Sequence, residues 1–286
     1  MADGSPRSSS NLLPGRRALG RVRRQAAHTL RRASVSRREL PDFLIVGTQK
    51  GGTTSLHEYL AEHPRVSPPV TKEVHYFDHA HHRGDEWYRA HFRTTTRPDE
   101  ISGESTPYYL FHPLVPELVA RDLPDSKLIV ILRNPIDRAF SHHNHEQALG
   151  YEELAFEEAI AREPERLEGE EERILDDPRY RSFSHQHHSY LSRSRYADQL
   201  EQWFRHTDRD RLLILSSEDL FEDPRTVIAA TQRFLGLEQN TPRDLTARNA
   251  RSYSPIDDDL RAHLSRELES DNQRLYELVG RDFGWT

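Results

Sequence analysis

The segment Gly47-Thr48-Gln49-Lys50-Gly51-Gly52-Thr53-Thr54 follows directly on the apolar run Phe43-Leu44-Ile45-Val46, the arrangement of a strand that feeds an anion-binding loop. Adjacent glycines let the backbone come close to an anion. Thr53 and Thr54 open a helix, with Leu56, Tyr59 and Leu60 on one face, whose first amides and dipole favour negative charge. Lys50 adds a full positive charge. In the ATP-binding version of such a loop, Lys and Ser or Thr follow the last glycine, whereas here the lysine precedes the glycine pair. That order disfavours a kinase or an ATPase. A structural strand-to-helix turn would also use Gly51 and Gly52, but the lysine tips the weighing towards an anion site. Lys50, Lys72 and Lys127 are the only lysines among 40 basic residues, and a compact ammonium meets a phosphate as a point charge, not as a guanidinium fork.

A second apolar run, Leu128 to Leu132, ends in Arg133, where an ATPase would carry an aspartate for magnesium. An arginine there suggests a second anion site, with an ordinary salt bridge at the sheet end as the weaker alternative. Ser141 stands eight residues on, about two helical turns, so its hydroxyl can return towards the strand end and share an anion with Arg133. Together the two sites describe a ligand phosphorylated at both ends, a bis-anionic nucleotide and not ATP.

The elements that must position these groups are legible as apolar runs. Phe43–Val46, Leu128–Leu132 and Leu212–Leu215 read as buried parallel strands, each followed by a helical pattern. Pro135 starts a helix through Ala139, Phe140 and His143, and a helix from Thr226 to Leu235 stops at Gly236. Further helices are predicted over Phe156–Arg162, Tyr196–Arg205 and Asp257–Val279, with an exposed acidic excursion over Glu163–Asp177. Strands alternating with helices predict an α/β fold, P-loop-like and three-layered, with a central parallel β-sheet flanked by helices. Its ligands would sit beyond the carboxyl ends of the strands.

Charge divides the chain in two. Residues 1–38 hold ten arginines against Asp3, a net +9, which leaves −16 on residues 39–286 of the overall −7. Residues 1–39 are expected to be a basic tail, either disordered or an amphipathic helix (Leu19, Val22, Ala26, Leu30) in weak contact with an anionic membrane surface, and residues 40–286 the catalytic domain. So acidic a domain argues against nucleic acid as a partner. The chain has no cysteine, which removes disulfides and thiolate metal sites. No stretch approaches the roughly 20 apolar residues of a membrane span, and a cytoplasmic protein is expected.

These blocks, with others in the same order, carry a resemblance. They are Ile45 to Thr54, Lys72-Glu73-Val74-His75-Tyr76-Phe77-Asp78, Trp87-Tyr88, Gly103 to Tyr109, Leu128 to Ser141, Tyr196 to Trp203, and Gly280-Arg281-Asp282-Phe283-Gly284-Trp285. The chain resembles sulfotransferases that use 3'-phosphoadenosine 5'-phosphosulfate (PAPS), in particular the heparan sulfate 3-O-sulfotransferase and bacterial carbohydrate sulfotransferase group. The resemblance implies that Lys50, Gly51, Gly52, Thr53 and Thr54 cradle the 5'-phosphosulfate and that Arg133 and Ser141 hold the 3'-phosphate. Arg251 and Ser252 would stand for the group's later nucleotide loop. Lys50 and helix N-terminal amides would stabilise the leaving oxygen, and no metal is required.

Glu73 matches the group's general base. An ordinary carboxylate is a poor base unless burial raises it, and His75, two residues away on an extended segment, is the rival; a supporting role is assigned to it. Ser105 stands where the group often has a second lysine. Trp87, Tyr88, Tyr108 and Tyr109 are candidates for stacking on a sugar, with packing the plainer reading. The histidine groups His79/His81/His82, His142/His143/His145 and His185/His187/His188 invite a metal, but adjacent residues on a helix face apart, so structural roles are expected and no metal site is assigned. The acceptor is expected to be a hydroxyl on a glycan or glycosylated small molecule. The alternatives are a kinase-like nucleotide-binding protein and O-sulfation of a non-sugar metabolite.

Overall fold

The computed structural model describes residues 40–94, 97–246 and 255–285. The basic segment 1–39, with its candidate amphipathic helix, and the candidate pair Arg251 and Ser252 lie outside the described residues.

Among the described residues five strands are present: β1 (Phe43–Gly47), β2 (Val66–Ser67), β3 (Ile101–Ser105), β4 (Lys127–Leu132) and β5 (Leu212–Ser216). They pair in parallel in the order β2-β3-β1-β4-β5. The helices are α1 (Thr53–Ala61), α2 (Asp85–Arg89), α3 (Val115–Asp122), α4 (Pro135–Leu149), α5 (Phe156–Leu167), α6 (Glu170–Asp176), α7 (Phe183–His187), α8 (Tyr196–His206), α9 (Ser217–Glu222), α10 (Pro224–Leu235) and α11 (Asp258–Val279).

The two-residue period of a strand sorts its side chains onto opposite faces, and here it builds the three layers. Leu44, Val46, Leu128, Val130 and Leu132 pack with Val119 of α3 and with Tyr196, Leu200 and Trp203 of α8. Phe43, Ile45, Ile129 and Ile131 pack on the other face with Leu56, Tyr59 and Leu60 of α1 and with Val227, Ile228 and Leu235 of α10. A third cluster joins Ile136 and Ala139 of α4 to Phe156 and Ala159 of α5 and to Leu264 and Leu268 of α11. Caps set the helix starts. The Asn134 side chain accepts from the amides of Ile136 and Asp137 with Pro135 at the first helical turn, and Asp223 caps α10, which begins at Pro224, two residues before the predicted Thr226.

The α/β architecture is the one the strand–helix alternation predicts, with two differences. First, β2 and β3 carry no apolar run. In β3, Ile-Ser-Gly-Glu-Ser reads as polar because Gly103 makes room for the Phe43 ring, which would stand 2.4 Å from a Cβ placed there. Second, Glu163–Asp177 is exposed along most of its length, as expected, but it is helical and turns inward at Glu163 and Ile174. α5 continues through Leu167, α6 follows, and the buried Glu163 carboxylate accepts from the amides of Leu191 and Ser192 at 2.7 and 2.8 Å.

Candidate active site

β1 lies between β3 and β4, so the chain leaves the ends of β1 and β4 in opposite lateral directions and a crevice opens at their carboxyl ends. The loop after β1 folds back on β4. The Thr48 amide donates to Ile131 O at 3.0 Å and the Gly51 amide to Thr48 O at 2.9 Å. A Cβ at Gly51 would stand 2.5 Å from Ile131 O, so only glycine fits. Lys50 and Gly52 take left-handed backbone, φ 73 and 101, a conformation costly for the lysine. Gly52 then caps α1, leaving its N-terminal amides without a side-chain cap. Arg133, at the end of β4, donates from Nη1 to Lys50 O at 3.1 Å. The same arginine thus supports the loop and lines the cavity above it, and a simple sheet-end salt bridge is not its role.

That cavity, about 790 Å³, is lined by Gln49, Lys50, Gly52, Thr53, Thr54, Arg133 and Ser141 on one side and by Lys72, Glu73, His75 and Tyr108 on the other. Of the predicted residues, Gly51 lies beneath the lining, packed on β4.

The segment carrying Glu73 and His75 is held by Glu104 of β3. This fully buried carboxylate accepts from Tyr88 Oη (2.7 Å), Thr106 Oγ1 (2.7 Å), Tyr109 Oη (3.1 Å) and the Val74 amide (3.2 Å). Burial pushes its carboxyl up against the pull of those four donors. Tyr109 Oη also accepts from the Tyr76 amide at 2.8 Å. Tyr88 and Tyr109 are therefore buried scaffold and do not stack on a ligand. Trp87 packs by Tyr76 and His91, and only Tyr108 of the four candidate aromatics reaches the cavity.

Glu73 accepts from Lys72 Nζ at 2.8 Å, and its other oxygen lies 3.6 Å from His75 Nε2. Burial works to raise its carboxyl, but His75 and Lys72 outweigh that and hold it at about 2. The condition for a strong base, a carboxyl raised by burial, is therefore not met, and the carboxylate is ionised in the resting site. His75 takes φ 55, which turns its ring between Glu73 and the buried Asp78, whose Oδ2 is 2.6 Å from Nδ1. Burial alone would depress the imidazole, yet Asp78 and Glu73 drive it up to about 10. His75 is thus an imidazolium, not a ready base.

The histidine groups resolve mainly into hydrogen bonds. His81 pairs with Asp122, His143 with Leu154 O and His185 with Tyr108, while His187 Nδ1 lies 3.0 Å from Oε2 of Glu146 and His142 Nε2 lies 3.1 Å from its Oε1. His75, Asp78 and His79 bring three ligand atoms within 4.8 Å of one another. However, the 2.6 Å His75–Asp78 separation fits a shared proton better than a cation at about 2.0–2.1 Å from each atom.

Sequence reasoning missed Gln49 and Arg193. Arg193 is fully buried, packs over the Tyr108 and Phe111 rings, donates to the carbonyls of His185 and Gln186, and donates from Nη1 to Gln49 Oε1. A guanidinium only donates, so the amide oxygen of Gln49 must face it and the amide NH2 turns away. Nothing in the local pattern distinguishes Arg193 among so many arginines, whereas Asp78, one helical turn from His75, carried a local signal.

Comparison with known proteins agrees with this geometry. The sulfotransferase domain model matches residues 40–256. The membrane-associated sulfotransferase kil1 of Dictyostelium discoideum is 27% identical over 86% of this chain and 66% of its own length. Heparan sulfate glucosamine 3-O-sulfotransferase 6 of Homo sapiens is 29% identical over 87% of this chain and 75% of its own length. The chain thus spans about two thirds to three quarters of the length of these relatives. The crystal structure of a sulfotransferase from Alicyclobacillus acidocaldarius superposes with a TM-score of 0.70 at 29% identity, covering 86% of this chain and 98% of that one. With the family model over most of its length and a glycine loop at the switch point of the sheet, this chain belongs to the sulfotransferase domain family and is a transferase.

Proposed function

We propose that this enzyme transfers the sulfuryl group of PAPS to a hydroxyl on a glycan or glycosylated small molecule, with Glu73 as general base. One observation carries the reading: a single cavity holds the glycine loop with Lys50, the Arg133–Ser141 pair and the Lys72-Glu73-Val74-His75 segment. The first two suit a nucleotide with anions at both ends, and the third faces them where an acceptor oxygen would stand. The acceptor oxygen forms its bond to sulfur as the bond from sulfur to the 5'-phosphate oxygen breaks, giving a sulfate ester and 3',5'-bisphosphoadenosine (PAP). Lys50 and the first amides of α1 meet the charge that develops on the leaving oxygen.

A carboxylate held at about 2 is a weak base towards a free alcohol. It serves here because the hydroxyl proton becomes strongly acidic as its oxygen bonds to sulfur, so an ionised carboxylate in place suffices to take it. The His75 imidazolium, oriented by Asp78, positions that carboxylate. Glycan relatives favour a sugar hydroxyl, and a cytoplasmic setting is part of the proposal; no described helix is long and apolar enough to cross a membrane.

Calorimetric titration with PAP tests the donor site, with ATP plus magnesium as comparator. PAP binding that exceeds ATP binding supports it; preference for ATP sinks it.

A further inference from the structure

Part of the exposed apolar surface among the described residues lies on and beside the cavity lining. Among the described residues six stand out, and Leu149 (50% exposed), Tyr151 (45%) and Phe183 (49%) are three of them. Leu149 lines the cavity itself. The Tyr151 and Phe183 rings lie 5.4 Å apart, and each packs on His187, a cavity-lining residue, at 4.8 and 4.6 Å. The patch is built and not a chance of loose loops. His188 bonds Tyr151 O at 3.0 Å, the Tyr151 amide donates to Glu146 O at 2.9 Å, and Arg181 donates to His79 O at 2.9 Å. Exposed aromatic groups continuous with a reactive cavity mark a binding surface, since water gains nothing from them.

The charges of the cavity say what does not bind there. Its lining holds five cations, Lys50, Lys72, the His75 imidazolium, Arg133 and Arg193, against four carboxylates, Glu73, Asp137, Glu146 and Glu218. Lys72 rests on Glu73, His75 is held between Asp78 and Glu73, and Arg193 is occupied by Gln49 and two carbonyls. Lys50 and Arg133 face the phosphates of the donor in the reading above. Among the described lining residues no cation is left for a sulfated or carboxylated polymer, which would need several.

Resting on the sulfuryl-transfer reading, we propose that Leu149, Tyr151 and Phe183 form an acceptor subsite for an apolar or aromatic group carried by an uncharged acceptor, as in an aryl or alkyl glycoside. The aglycone lies on the Tyr151–Phe183 pair beside His187, and the hydroxyl-bearing part reaches inward to Glu73. The transfer is balanced as above: the acceptor proton goes to Glu73, the sulfuryl group to the acceptor oxygen, and PAP leaves.

The test uses the full chain saturated with PAP, titrated calorimetrically with 4-nitrophenyl glucoside, galactoside and mannoside, with the free sugars and with heparan sulfate, followed by turnover with PAPS. At least one aryl glycoside is expected to bind about tenfold tighter than its free sugar. Phe183→Ala and Tyr151→Ala, both at exposed positions, are expected to raise its KM about tenfold with kcat and PAP affinity unchanged. Equal binding of aryl glycoside and free sugar, no binding of any aryl glycoside to the PAP complex, preference for heparan sulfate, or indifference to both substitutions would overturn the subsite. Failure of PAP itself to bind would instead strike the donor reading, so the two failures are distinct.

Discussion

The two sides of the cavity are made rigid by different means. On the side proposed for the donor the backbone does the work: the loop is pinned to β4 by Thr48 and Gly51, shaped by left-handed residues at Lys50 and Gly52, and closed by an arginine on a carbonyl. On the side proposed for the acceptor the backbone is irregular and buried carboxylates do the work. Glu104 holds the Val74 amide, Asp78 holds His75, and Glu146 lies between His142 and His187. A phosphate is the same in every donor molecule and suits a fixed nest of amides. Acceptors differ, and a side-chain framework can be rebuilt by substitution without disturbing the sheet. The comparison makes sharp claims, because damage on one side should leave the other intact.

The largest expected effect is at Glu73. Glu73→Gln removes the proposed proton acceptor while keeping the shape, and kcat should fall by about 10²–10⁴-fold with PAP affinity unchanged. Near-normal turnover would rule out this base. Next comes its scaffold. Glu104→Ala strips one acceptor from four donors and leaves Tyr88, Tyr109 and the Val74 amide buried without it. About 3 kcal/mol of stability should be lost in urea unfolding. An unchanged midpoint would mean that the segment carrying Glu73 is held some other way and that the contrast between the two sides is false.

The same contrast explains what the sequence disclosed. The donor side is local: an apolar strand, adjacent glycines and a lysine within a dozen residues specify it, and Arg133 needs only the next strand. The sheet centre was legible for the same reason, since Leu44 to Val46 and Leu128 to Leu132 are continuous apolar runs. β3 was not, because its carboxylate points into a buried network and Gly103 answers to the Phe43 ring across the sheet. Arg193 and Gln49 meet across 144 positions of chain, and no spacing rule finds such a pair. Glu163 read as part of a solvated acidic run because its partners, the amides of Leu191 and Ser192, lie in another segment. Glu73 and His75 entered through resemblance, and only the geometry separated a carboxylate held ionised from an imidazole held charged.

On the donor side, Arg133→Ala should weaken PAP about 10- to 100-fold, the worth of a hydrogen-bonded charge. Because Arg133 also holds Lys50 O, Arg133→Lys keeps the charge but loses the fork and should recover only part of the affinity. Acceptor binding to the PAP-saturated variants should be unchanged. If acceptor affinity falls in step with PAP affinity, the two sides are mechanically one unit.

The smallest effect is a shift in the pH profile, and it separates the roles of Glu73 and His75. Glu73, depressed to about 2, is ionised throughout the neutral range and sets no limb there. His75, raised to about 10, is protonated through neutrality and loses its charge as pH climbs through that value. If the charged imidazolium positions Glu73, log kcat/KM stays flat through neutrality and falls on the alkaline side near 10, with other alkaline groups identified from their persistence in His75→Gln. If neutral His75 were the base, the same group would make activity rise through that range. Asp78→Asn decides between them, since Asp78 is the foremost of the partners that raise His75 against burial. The alkaline fall should move towards the ordinary histidine range near 6.5, leaving kcat/KM at pH 6 within a few fold of the parent but reduced at pH 9. A fall that stays in place would mean that the His75–Asp78 pair holds no charge for the reaction and that His75 serves the acceptor side only as packing.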